Sequence, residues 1–370
     1  MDKKEMKTSR SFGYRLRHWN LLLPVVCMLL VMAANILYSA ATGSNPFSFF
    51  QITLQNTSSN GVILYGRIID ILNRGSEAAI LAIGMTLCVS SSAGTDISVG
   101  SVMSLCASFC CMLLAGYGVT STNELAVPLI VGILAALVMG ALCGAFNGAL
   151  VANLKIQPMV ATLILYSAAR AVGLLLCNDM IVYVRNSSYG IFGSYLGIIP
   201  TPIVITFVCI AVMSIFLRKT AMGTYIQSVG INDKASRIAG LNSTKIIFMT
   251  YLLCGIFAAV AGIVQSSRIT SADSNNIGLY MELDAILAVA LGGNSLGGGK
   301  FSLAGSIIGA YTIQAITTTL YALGVSTDQA PVFKAVIVII IVAIQAPPIR
   351  AFFRKRAALR ANSVKEVSRA

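Results

Sequence analysis

The sequence predicts an all-α, polytopic membrane protein with about ten transmembrane helices, some of them broken or half-length, and an internal parallel repeat. Three observations predict it. Hydrophobic residues make up 56% of the 370 and charged residues only 11%, whereas a soluble domain carries about 25% charged residues. Apolar runs of helix length recur along the chain with short polar stretches between them. Of the 26 Lys and Arg, six lie in residues 1–18, five in 218–245 and seven in 350–370. That clustering is the positive-inside pattern and assigns all three patches to the cytoplasm.

The apolar segments fall at roughly 21–41, 77–93, 98–116, 125–150, 159–177, 201–217, 247–267, 283–296, 301–323 and 332–347, ten candidate spans by hydropathy. The first follows six basic residues, as a signal peptide would, but it is long enough to span and shows no small-residue cleavage site. It is read as a retained helix. From a cytoplasmic N-terminus, six crossings return 218–245 to the cytoplasm and ten return the C-terminal tail there. The domain layout is a basic tail at 1–20, a single transmembrane domain at 21–348 that carries the cytoplasmic segment 218–245, and a second basic tail at 349–370. Segments 77–93 and 283–296 fall short of the roughly 20 residues a full span needs, which marks them as half-helices or broken ones. Residues 42–76 and 178–200 are expected as outer loops. Gly140, Gly144 and Gly148, and again Gly305 and Gly309, carry the small-residue spacing that lets neighbouring helices approach closely.

Several function classes are excluded at this level. The net charge of +13 raises nucleic acid as a partner, yet no aromatic residues interleave with the basic ones as a nucleic-acid platform requires. The charge belongs with the lipid bilayer. Nine cysteines, nearly all inside apolar runs, show neither a disulfide framework nor a metal-ligand spacing, and the only histidine is His18 in the basic tail. No metal site, catalytic residue or cofactor of this chain is expected. The glycine-rich run from Gly292 to Lys300 resembles a phosphate loop but has Asn294 and Phe301 where that motif needs Gly and Ser or Thr. Energy for transport would therefore come from an ion gradient or a partner protein.

The break at Gly94-Thr95-Asp96-Ile97-Ser98-Val99-Gly100-Ser101 places an acid and helix breakers between two apolar stretches. An ionisable group at bilayer depth costs roughly 2.5–3.5 kcal/mol on insertion scales and faces a protein interior or a watery path. Asp96 and Ser98 either cap the following helix or line a polar route; one residue at a broken helix does both. Asp284 is expected near the outer interface as a cap. Asn147, Thr162 and Gln314 are further polar groups within apolar runs, each an interhelical hydrogen bond or a wall of the route. The break also has an echo. Ala79-Ile80-Leu81-Ala82-Ile83 matches Ala285-Ile286-Leu287-Ala288-Val289, and Ser98-Val99-Gly100-Ser101 faces Leu303-Ala304-Gly305-Ser306 at nearly the same offset. This suggests a duplicated unit in parallel orientation.

In 218–245, Asn232 is an N-cap candidate, Ala235 and Ala239 lie four apart, and Gly240 is a stop, which specifies a two-turn helix. Such a short, basic, cytoplasmic helix is either a lever for a partner or a plain connection.

Gly84-Met85-Thr86 with Gly94 to Ser101 resembles the characteristic run of the membrane subunits of bacterial ABC importers for ribose and related sugars, with Thr95 where isoleucine is usual. Three stretches extend the likeness: Asn147-Gly148 leading to Pro158-Met159-Val160-Ala161-Thr162-Leu163, then Val229-Gly230-Ile231-Asn232 through Ala239-Gly240, and Leu291 to Gly299. Within the family the chain looks most like galactofuranose permeases, through Ile69 to Arg74, Lys155 to Pro158, Ala272 to Asn276 and Glu282 to Leu287. The resemblance implies a bacterial inner-membrane permease that pairs with a second copy or a sister permease. It implies a cytoplasmic subunit that binds ATP and a periplasmic sugar-binding protein. Gly230, Asn232, Ala235, Ala239 and Gly240 would form the ATPase coupling segment, and Thr95, Asp96, Ser98, Asn147, Thr162 and Gln314 the translocation pathway. The competing reading is an ion-gradient-driven carrier, which would need further titratable groups deep in the bundle.

Overall fold

The computed structural model describes residues 22–41, 49–57 and 61–345, so the two basic tails lie outside the described residues. Residues up to Ala315 form one compact unit and those from Ile316 a second, smaller one. In chain order the elements are α1 (Leu22–Ala41), β1 (Thr53–Thr57), β2 (Gly61–Tyr65), α2 (Arg67–Arg74), α3 (Ser76–Ser92), α4 (Val99–Ala115), β3 (Ser121–Thr122), α5 (Leu129–Gly148), α6 (Pro158–Leu176), β4 (Val182–Val184), α7 (Ser187–Gly190), β5 (Tyr195–Leu196), β6 (Ile199–Pro200), α8 (Thr201–Lys219), α9 (Met222–Ile231), α10 (Asp233–Ile238), α11 (Ser243–Ile269), β7 (Ser271–Ala272), α12 (Met281–Leu291), α13 (Leu303–Ala322) and α14 (Ala330–Gln345).

This is the mostly helical architecture of a polytopic membrane protein. Among the described residues five helices are long and apolar enough to cross a membrane: α5 with its extension to Asn153, α6, α8, α11 and α13. The pair α2 and α3, bent by 43° at Gly75, makes a sixth if it is one span. A purely helical fold was too strong an expectation. Among the described residues there are three small β sheets: the antiparallel hairpin β1–β2, the antiparallel pair β5–β6, and a sheet in which β4 pairs β3 in parallel and β7 antiparallel. Their strands are too short for hydropathy to register, and Val182, Tyr183 and Val184 are β-formers that three neighbouring loops happen to share. Helix α2 likewise stands where an outer loop was expected.

Helix α3 is the hub of the first unit. Every residue from Ser76 to Ser91 is buried, and such all-round burial marks a helix enclosed by others. Small residues make this possible: Gly84 receives Cys254 of α11, where an added Cβ would press on the Cys254 backbone. The long α11 runs against α5 through three of the predicted glycines. A Cβ at Gly140, Gly144 or Gly148 would collide respectively with Gly255, with Tyr251 and Leu252, or with Phe248. Gly305 and Gly309 serve α13 in the same way against Gly292 and Ala288. Backbones in contact gain dispersion that no side chain intervenes to dilute.

The chain between α11 and α12 does not stay at the outer end of the bundle. After Thr270, residues 273–280 run back alongside α4, so that Gly278 meets Gly100 at the start of that helix. Irregular backbone at this depth must have every polar group satisfied from within. Arg170 of α6 supplies most of this, donating to Ser274 O at 2.6 Å, Asn275 O at 2.9 Å and Ile277 O at 3.3 Å. Ser104 donates to Ser274 O at 2.9 Å, and Gln265 Oε1 accepts from Gly278 N at 3.0 Å. Helix α12, with 11 residues, is accordingly a half-helix whose first turn is level with Gly100. Asp284 lies in that same first turn.

Overpacking a close helix contact costs about 1–3 kcal/mol, so Gly144→Val should lower the thermal denaturation midpoint of the purified protein. Gly190→Ala, which adds a methyl into open space, should leave it in place. Equal midpoints for the two variants would show that α5 and α11 are not held by that contact.

Candidate translocation and coupling sites

The polar break is assembled from four helices. α3 ends at Ser92 with Ala93 in the left-handed conformation at φ 53°, and α4 begins at Val99. Gly94 in between lies against Pro158, the first residue of α6, where proline's missing N–H costs nothing. Asp96 then folds over the start of α4. Its Oδ1 accepts from Ser98 N at 3.0 Å and from Ser98 Oγ at 2.6 Å. Asn147, one residue before the end of α5, donates through Nδ2 to Asp96 Oδ1 at 3.3 Å, to Asp96 Oδ2 at 3.4 Å and to Ser98 Oγ at 2.8 Å. Thr162 Oγ1 on α6 accepts from Ile97 N at 3.2 Å. Asp96, Ser98, Asn147 and Thr162 are all buried.

The structure thus brings four of the six predicted pathway residues into one cluster, with Thr95 half-buried beside them. Gln314 does not join it. It lies one turn beyond Tyr311, which packs against Gly75 at the opposite end of α3, and a 17-residue helix separates those ends by about 25 Å. Asp96 has no cationic partner among the described residues, and it takes no part in the ion pairs Arg237–Asp233 and Arg268–Glu77. Its compensation comes from hydrogen bonds and from the positive end of α4.

Sequence reading took Asp96 as the one central acid and missed two others. Glu77, in the first turn of α3, is buried and meets Arg268 NH2 of α11 at 3.2 Å, and the same guanidinium nitrogen donates to Asn73 O at 2.7 Å. Glu282, in the first turn of α12, is buried beside Gly100 with Oε2 lacking a hydrogen-bond partner. Arg170 was missed as well. Its signal was an arginine in the middle of an apolar segment, a position that demands buried acceptors.

The short helix expected in 218–245 forms at Asp233–Ile238. Asn232 Oδ1 accepts from Ala235 N at 3.0 Å and caps α10, Arg237 Nε meets Asp233 Oδ1 at 3.2 Å one turn along, and Gly240 ends the helix at φ +87°. Partial burial pushes the Asp233 carboxyl up, but the nearby Ser243 hydroxyl, the hydrogen bond from Arg237 and the charges of Arg237 and Lys155 outweigh it and hold the group below its ordinary value. Asn232, Ala235, Ala239 and Gly240 are exposed, and Ile238 is 90% exposed. Gly230 is different. It ends α9 inside the bundle, where a Cβ would overlap Ser90 O and crowd the Gly299 amide. The glycine-rich run is thereby a structural loop: Gly299 N donates to Ser90 O at 3.0 Å, and Asn294 Nδ2 donates to Ser306 Oγ at 2.7 Å while its Oδ1 accepts from Ser302 N at 2.6 Å.

Residues 67–344 match the family model described as "Branched-chain amino acid transport system / permease component". The chain belongs to this permease family. Three relatives are informative. The permease is 41% identical over 323 residues to a galactofuranose transporter permease protein of Escherichia coli, covering 87% of this chain and 88% of the relative. It is 38% identical over 317 residues to a fructose import permease protein of Bifidobacterium longum, covering 83% and 85%. A ribose import permease protein of Escherichia coli is 36% identical over 297 residues, covering 79% and 89%. No solved structure matches the permease.

Residues within one hydrogen-bonded network lose stability non-additively, by about 0.5–3 kcal/mol. Asp96→Ala and Asn147→Ala should each lower the denaturation midpoint of the permease, and the double variant should lose clearly less than the sum. Strict additivity would mean that the two side chains do not act as a pair.

Proposed function

We propose that the permease is the transmembrane subunit of an ATP-binding cassette importer, and that it carries a monosaccharide across the bacterial inner membrane as a furanose, pentose or hexose. The observation that carries this reading is the set of relatives named for galactofuranose, fructose and ribose import, each aligned over at least 79% of this chain. The geometry supports it from two directions. A capped, exposed two-turn helix projects Ile238 where a partner would find an apolar anchor, and a polar break is held inside an otherwise apolar bundle. In this reading ATP is bound by a separate cytoplasmic subunit docked on α10, a periplasmic binding protein delivers the sugar, and the permease pairs with a second copy or a sister. The chain itself binds no nucleotide and catalyses no reaction. Both termini are cytoplasmic after ten crossings, and the segments beginning at Ala79 and Ala285 are halves of a parallel duplication. The polar route runs past Thr95, Asp96, Ser98, Asn147 and Thr162.

A second reading draws on the buried acids Glu77 and Glu282. A carrier driven by an ion gradient would use such groups. Uptake of labelled galactofuranose, ribose and fructose into vesicles separates the two. Uptake that requires ATP together with the ATPase subunit fits the importer, and uptake indifferent to ATP but abolished by an uncoupler fits the carrier.

For the coupling helix, Ile238→Asp and Ala235→Pro should leave folded permease in the membrane but abolish co-purification of the ATPase and ATP-driven uptake. Proline at 235 removes the N–H that Asn232 caps, a loss of about 1 kcal/mol or more for so short a helix. Unchanged association in both variants would remove α10 from the interface. Asp96→Ala should reduce uptake per folded molecule at least severalfold; normal uptake would exclude Asp96 from the route.

A further inference from the structure

The break at Asp96 also holds two thiols that the sugar route does not use. The Sγ atoms of Cys88 on α3 and Cys254 on α11 and a carboxylate oxygen of Asp96 all lie within 4.8 Å of one another. Cys88 and Cys254 are 0% exposed and Asp96 is 2% exposed, so three ligand atoms face each other with water shut out. The backbone brings them together. Gly84 admits α11 against α3 at Cys254, Cys88 follows one turn later, and the left-handed Ala93 turns the chain so that Asp96 comes back beside them.

Two further observations point to a cation here. No Lys or Arg among the described residues pairs with Asp96, and a buried carboxylate is costly without a compensating charge. Asn147, whose Nδ2 holds Asp96, keeps its own Oδ1 buried with no hydrogen-bond partner. The spacing suits a soft four-coordinate ion. Bonds of about 2.3 Å to sulfur and about 2.0–2.2 Å to oxygen in tetrahedral geometry set the ligand atoms roughly 3.5–4 Å apart, a spacing that falls within the 4.8 Å that bounds the cluster.

We propose that Cys88, Cys254 and Asp96 form a site for a thiophilic divalent cation of the zinc and cadmium class, with Asn147 Oδ1 available as a fourth ligand. Two sulfur ligands select such ions over magnesium and calcium. Binding forms two metal–sulfur bonds and one metal–oxygen bond, and the two thiol protons leave to the buffer. No atom is oxidised or reduced. Two thiolates and a carboxylate around a divalent ion leave one net negative charge, which faces the positive end of α4. The bound ion would clamp α3 to α11 and draw Asp96 from Ser98 and Asn147, so its presence would arrest movement at the break.

The test uses full-length protein, purified reduced, stripped with a chelator and titrated with Cd²⁺. Binding is read from the near-ultraviolet thiolate-to-cadmium charge-transfer band and from cadmium retained after desalting. Wild type should saturate at about one tightly held ion per chain, and Cys88→Ser, Cys254→Ser and Asp96→Asn should each weaken binding about tenfold or more, the range seen when the support of a metal site is damaged. Cys209→Ser, in α8, should leave the affinity unchanged, and excess Mg²⁺ should not compete. Cys88→Val and Cys254→Ala replace the serine variants if those fail to fold. A wild-type protein without the band, or a band of undiminished affinity in both cysteine variants, overturns the site. Sugar is absent from the titration, so its result stands apart from the transport assignment.

Discussion

A helix buried on every side imposes the central constraint on this permease. Because α3 has no exposed face from Ser76 to Ser91, the chain that leaves it passes, after an exposed Ala93, into a break whose Gly94, Asp96 and Ser98 are buried. Each polar group of the following break must then find its partner on a neighbouring helix. Asn147 on α5 and Thr162 on α6 are those partners, and Ser91 and Ser92 complete the set through Thr250 at 2.8 Å and Tyr251 at 3.1 Å on α11. The break is thus a point where four helices are pinned together by hydrogen bonds. Its cost in exposed backbone is offset by the order it gives to α4, α5, α6 and α11.

The same requirement governs the descending segment after β7. Asp273 accepts from Asn275 N at 3.0 Å and from Asn276 Nδ2 at 2.6 Å, and Arg170 covers the carbonyls on the other side. An arginine is suited to this because its planar fork reaches several acceptors at once. Glu282 stands apart from this economy: a buried carboxylate level with Gly100, close to the positive end of α4, with one oxygen unpartnered. Two broken elements therefore meet near a common depth, the start of α4 and the start of α12.

What the sequence made legible was local. Gly94 and the acid behind it announced the break, Asn232 and Gly240 delimited α10, and the spacing of Gly140, Gly144 and Gly148 marked a contact without naming α11 as its other side. What it hid was pairing across the chain. Nothing near Gln314 reveals that α13 places it at the far end of α3 from Asp96, and nothing near Glu282 reveals that residues 273–280 descend beside α4. Ala93 gave no warning of its left-handed conformation, because alanine adopts it only where the surrounding fold holds it. The sheet of β3, β4 and β7 was invisible for a related reason: it exists only because three loops distant in sequence end beside one another.

The meeting of Gly230, Ser90 and Gly299 has a mechanical consequence. Main chain lies directly on main chain where Gly230, just before α10, meets the Ser90 carbonyl at the end of α3 and the Gly299 amide of the glycine-rich loop. Close-packed interiors are stiff and pass strain onward instead of absorbing it. A push on α10 would find no soft element to compress before it reached Ser90, and Ser90 is three residues ahead of the turn that aims Asp96. The glycines serve as the incompressible joint of a linkage, and their lack of side chains is what makes the joint stiff.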